Sequence, residues 1–92
     1  MRASRASLAL AAVALGAAGC AQPLPDAESP AARIYAEQCG LCHRPYAPRL
    51  MTAAMWEIQV ARMDEMRARR GVPPLGPADR ATILEYLRDH AG

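Results

Sequence analysis

Proline placement constrains this chain more than any other feature. Eight of its 92 residues are proline. Each removes a backbone donor, fixes φ, and pushes the preceding residue away from helical conformation. Pro45 and Pro48 therefore exclude regular helix across R-P-Y-A-P-R-L, residues 44–50, and Pro73 and Pro74 make V-P-P-L-G, residues 72–76, a second loop. Helical windows lie between these loops. Ser29 supplies an N-cap and Pro30 a first helical residue for a helix through A-A-R-I-Y-A-E-Q-C, residues 31–39, with Ile34 and Tyr35 turned inward. Thr52 can cap a second helix over residues 53–70, which Gly71 stops. Gly76-Pro77 opens a third over residues 77–90, with Asp79 in its first turn to suit the dipole. Its apolar face is Ile83, Tyr86 and Leu87. On the second helix Met55, Trp56, Gln59, Val60, Met63 and Met66 share one broad face. Arg62, Asp64, Glu65 and Arg69 fall mostly elsewhere, so R-M-D-E-M-R-A-R-R reads as a solvated face. No segment has a strand pattern. The expected fold class is all-α: three helices joined by proline loops, with room for extra short turns.

Such a domain is short of core material. The chain has no Phe, and its aromatic residues are Trp56, Tyr35, Tyr46 and Tyr86. Domains this small usually draw on a metal, disulfides, oligomerisation or a buried cofactor.

The first 19 residues have another character: Arg2 and Arg5, then an Ala/Leu/Val run, then small residues ending at Cys20. That layout is a secretory signal peptide, and the apolar run is too short for a membrane span. A-A-G-C, residues 17–20, resembles the lipobox of bacterial lipoproteins, although Ala17 stands where that family prefers a branched residue. The resemblance implies cleavage before Cys20, lipidation of Cys20, and, through Ala21, an outer-membrane destination in a Gram-negative cell. Ordinary cleavage after Ala18 is the alternative and would leave Cys20 a free thiol. Residues 20–28 read as a flexible tether and residues 29–92 as the functional domain. Removing Arg2 and Arg5 with the leader leaves nine arginines against nine acidic residues, so no basic stripe points to nucleic acid.

The chemistry concentrates at C-G-L-C-H, residues 39–43. A structural zinc site needs four ligands, and beyond Cys39, Cys42 and His43 only Cys20 and His90 remain. Redox-active C-x-x-C normally sits at a helix N-terminus within a βαβ unit, but here the motif follows a helix. A disulfide between Cys39 and Cys42 would close too small a loop to gain much. C-x-x-C-H is the attachment signature of c-type haem: two thiols add to the vinyl groups and the adjacent histidine becomes the proximal iron ligand. Attachment takes place outside the cytoplasm, where the leader would deliver the chain.

The order helix, C-G-L-C-H, proline loop, helix, V-P-P-L turn, and helix with I-x-x-Y-L resembles small single-haem cytochromes c of the class I type, over about residues 29–91. The resemblance implies a fold wrapped around one covalent haem c, with the first and last helices crossing so that Ile34 or Tyr35 meets Ile83, Tyr86 and Leu87. It also implies that a backbone carbonyl within residues 44–48 accepts a hydrogen bond from His43 Nδ1, which orients the ligand. A pocket beside Cys39, Cys42 and His43 should then be lined by Trp56, Met63 and Leu87.

The sixth iron ligand departs from that pattern. Val72 occupies the place where many of these cytochromes carry the distal methionine, before Pro-Pro-Leu. W-E-I-Q-V-A-R-M, residues 56–63, resembles a subgroup with a W-x-x-x-V-x-x-M helix, which makes Met63 the first choice and Met66 the runner-up. His90 or an open iron are the other options, and methionines at helical spacing also serve as plain core packing. Arg44, Arg49 and Arg62 are candidates to pair with haem propionates. The function expected is single-electron transfer between redox proteins by a membrane-tethered, periplasm-facing cytochrome, either a free shuttle or a subunit of a redox enzyme. No small-molecule substrate is expected. The alternative is a gas sensor or peroxidase-like enzyme with an open distal site.

Overall fold

A computed structural model describes residues 23–92. The leader and Cys20 lie outside the described residues. Helices α1 (Pro30–Cys39), α2 (Ala53–Arg69) and α3 (Pro77–His90) follow in order, with a short 3-10 turn at Pro48–Leu50, and no strand occurs among the described residues. The all-α, three-helix expectation matches this architecture.

Local chemistry sets each boundary. The Ser29 hydroxyl accepts from Ala32 N, and Pro30 occupies the first helical position of α1. The Thr52 hydroxyl accepts from Met55 N at the start of α2. At the other end Gly71 takes φ +72°, Val72 N donates to Arg67 O, and Gly71 N donates to Ala68 O. This is a Schellman ending, and a side chain at Gly71 would strain it. Pro77 starts α3 as expected, and Gly76 offers no side-chain cap.

The core is Ala32, Tyr35, Trp56, Val60, Ile83, Tyr86 and Leu87. α1 and α3 pack against one another, and α2 packs on α3. The Tyr35 ring lies 5.5 Å from that of Tyr86 and meets Trp56 edge-on at 6.3 Å, both favourable aromatic separations. Each polar tip is satisfied: Trp56 Nε1 donates to Pro48 O, Tyr35 Oη to Tyr46 O, and Tyr86 Oη to Pro25 O. The first two bonds hold the proline loop after the motif against the core. Burial raises both tyrosine pKa values above the usual phenol value.

Residues 23–28, within the stretch expected to be a tether, are held against α3. Leu24 packs on the core, Pro25 O takes the Tyr86 hydroxyl, and Asp26 pairs with His90 at 3.3 Å. The broad face expected of α2 is divided. Trp56 and Val60 are sealed, Gln59 and Met63 are half-buried, and Met55 and Met66 are 48% and 44% exposed.

Candidate haem site

The C-G-L-C-H segment begins at the last residue of α1 and turns outward at once. Gly40 lies so close to the Ala36 carbonyl that a Cβ would collide with it, so glycine suits this exit. Leu41, Cys42 and His43 follow as an exposed bend. Cys39 and Cys42 are free thiols, the first half-buried and the second exposed. Burial pushes the Cys39 thiol up to about 11; the nearby Arg67 charge pulls the other way and Asp64 adds a smaller upward push. A thiol so protonated at neutral pH is a poor redox nucleophile.

His43 Nδ1 lies 2.9 Å from Arg44 O. A carbonyl only accepts, so Nδ1 carries the proton and Nε2 keeps its lone pair for a metal. Among the described residues no three His, Cys, Asp or Glu side chains converge as a metal cage.

Cys39, Cys42 and His43 line a cleft of about 120 Å³ that opens to solvent. Gln38 and Leu41 belong to the same wall; Met63, Met66, Arg67 and Arg70 of α2 and Val72 and Leu75 of the second proline loop supply the rest. The lining combines apolar side chains, two thiols three residues apart and one histidine with a fixed tautomer. Those residues fit a covalently held haem.

The cleft brings together Cys39, Cys42, His43, Met63 and Met66. It does not include Trp56 and Leu87, which are 1% and 0% exposed in the core. The expected lining is corrected accordingly: those two side chains are sealed in the core cluster with Tyr35, Val60, Ile83 and Tyr86. Val72 lines the cleft and carries no donor atom. His90 lies elsewhere, against Asp26 and 4.8 Å from the Tyr86 ring. None of Arg44, Arg49 and Arg62 is among the lining residues, whereas Arg67 and Arg70 are. Sequence reasoning missed those two because it assigned the whole charged run to solvent.

Arg67 is a structural knot. Its Nη1 donates to Gln38 O at 2.8 Å, Nη2 to the Gln38 side-chain oxygen at 3.0 Å, and Nε to Pro73 O at 2.8 Å. It thus fastens α2 to the residue before Cys39 and to the second proline loop. Asp64 works one turn earlier, accepting from Leu75 N and pairing with Arg80 of α3, each at 3.0 Å.

These features define the class as a c-type cytochrome. A family model described as dihaem cytochrome c matches residues 35–92, which spans the motif, the cleft and both later helices. The chain belongs to the dihaem cytochrome c family. No curated protein and no solved structure matches it. Membership makes it a haem protein of electron transfer, with redox proteins as its general class of partner. The family name specifies two haems, whereas this sequence contains a single C-x-x-C-H, at residues 39–43.

Proposed function

We propose that this chain carries one covalent haem c at Cys39 and Cys42 and passes single electrons between protein partners on the periplasmic side of a membrane. The observation that carries the reading is the convergence of both thiols and His43 on one largely apolar cleft. When bound, haem c supplies a one-electron ferric/ferrous couple. Cys39 and Cys42 hold it covalently, and His43 offers Nε2 because Arg44 O holds the proton on Nδ1. The apolar walls from Leu41, Val72 and Leu75 restrict water on the reacting side, which favours a raised potential.

Met63 is the proposed sixth ligand. It lines the cleft while half-buried against the core, so its thioether is anchored. Met66 is the competitor: it lines the same cleft but is 44% exposed. Arg70 is exposed at the cleft and suits a propionate better than Arg44, Arg49 or Arg62. A lipid on Cys20, after removal of residues 1–19, would anchor the domain, favouring the outer membrane in a Gram-negative cell. No helix among the described residues is long and apolar enough to cross a membrane. The described domain would then serve as a free shuttle or as a small subunit of a redox enzyme.

Spectroscopy tests this reading. The mature domain, expressed with a c-type maturation system, should show a red-end iron–sulfur band when ferric and no response to carbon monoxide when ferrous. Ready binding of carbon monoxide would favour an open-site sensor or enzyme.

A further inference from the structure

Arg67 lies in a run of charges that reads as helix surface, yet its guanidinium turns into the cleft wall. Five N–H groups are available to an arginine. Three of them meet Gln38 O, Gln38 Oε1 and Pro73 O. All three acceptors are neutral, and among the described residues no carboxylate forms an ion pair with Arg67. The positive charge is therefore fixed in place without being cancelled. Asp64, three residues earlier on the same helix, is committed to Arg80 and to Leu75 N. At the Cys39 sulfur the influence of Arg67 exceeds that of Asp64, so the field of the guanidinium reaches the attachment site.

We infer that Arg67 is a positioning residue with two separable duties: its hydrogen bonds close the cleft, and its uncancelled charge raises the reduction potential of the cofactor held there. The inference rests on the haem reading above. The first duty follows from connectivity. One planar fork ties α2 to the residue preceding Cys39 and to the proline loop carrying Val72 and Leu75. The second follows from Coulomb's law. Oxidation leaves one more positive charge at the iron, and a fixed cation nearby opposes that change. The step is Fe(III) plus one electron giving Fe(II). The electron comes from a reduced redox protein in service, or from dithionite in a titration. Arginine suits the site better than lysine because bonding three acceptors at once needs a rigid, many-donor head.

The two duties come apart in Arg67→Lys and Arg67→Met. Lysine keeps the charge and loses the fork; methionine keeps bulk and loses both. The full haem-loaded protein should be titrated with dithionite against a reference dye, and each variant also unfolded in urea. Arg67→Met should lower the reduction equilibrium constant about tenfold, the scale of one fixed charge across a partly buried site. Arg67→Lys should stay within about twofold of the unmutated protein on the same scale. Both variants should lose stability in urea. Arg69→Met, on the exposed side of α2, serves as the surface-charge control and should shift the equilibrium less than about twofold, because solvent screens it. Equal shifts in Arg67→Lys and Arg67→Met, or no shift in either, would overturn the electrostatic duty. Unchanged urea stability in both would overturn the structural one. If even the unmutated protein takes up no covalent haem, the proposed function fails and this inference with it. A loaded protein with an unmoved potential defeats this inference alone.

Discussion

The two sides of α2 differ in how far they complete themselves. Toward α1 and α3, Trp56 and Val60 meet Tyr35, Ile83, Tyr86 and Leu87, and every buried polar side-chain atom among the described residues has a partner. Toward the cleft, Met63, Met66, Val72 and Leu75 face an open apolar space beside Cys39, Cys42 and His43. The first side is an ordinary core, closed by aromatic packing and by hydrogen bonds to proline-loop carbonyls. The second has largely apolar walls that open to solvent. One helix thus lines both a self-sufficient core and the cleft proposed to hold the haem, and a single broad apolar stripe in the sequence supplies both.

Substitutions should separate the two sides. The largest effect is expected from Cys39→Ala with Cys42→Ala. Covalent haem should disappear entirely by haem stain on denaturing gels, while helix content by circular dichroism is largely retained.

The core side should answer next. Leu87→Ala should cost about 2–5 kcal/mol in urea unfolding, because it opens a cavity in a fully sealed site. Val72→Ala, on the cleft wall, should cost less than about 1.5 kcal/mol in the haem-free protein, since only a half-exposed side chain is trimmed. Comparable losses at both positions would break the distinction.

Trp56→Phe should cost about 1–3 kcal/mol, because Pro48 O loses its buried donor. Equilibrium urea unfolding measures this directly.

Smaller still is a pH effect confined to the haem-free protein. The folded Cys39 thiol is held protonated up to about 11, against an ordinary value of 9.0. A raised folded value favours the folded state while the thiol is neutral, so this contribution is intact below pH 9.0 and lost as pH climbs toward 11. Tyr35 and Tyr86, also raised, add to the loss above pH 10.0. Unfolding midpoints followed from pH 8 to 11 should fall, and Cys39→Ala should flatten the earlier part of that fall. Once Cys39 is a thioether it no longer titrates and this contribution is gone.

Sequence alone carried much of the fold, because the punctuation is local. Ser29-Pro30, Thr52, Gly71 and Gly76-Pro77 act within a few residues of themselves, and the helices start and stop beside them. The C-x-x-C-H motif is equally local. What escaped was long-range. A helical wheel groups Trp56 with Met63 and Met66 but cannot say that one faces a core and the others a cleft. It also assigns Arg67 to solvent, because its partners Gln38 and Pro73 arrive from other segments. The docking of residues 23–28 on Tyr86 and His90 depends on contacts some 60 residues apart and left no local trace.

The most direct test of the account is intact mass and pyridine haemochrome analysis of the protein matured in a host competent for c-type attachment. The account predicts one covalent haem per chain, lost when Cys39 and Cys42 are replaced. A protein carrying no covalent haem would contradict the central claim, and two per chain would contradict the single-site reading.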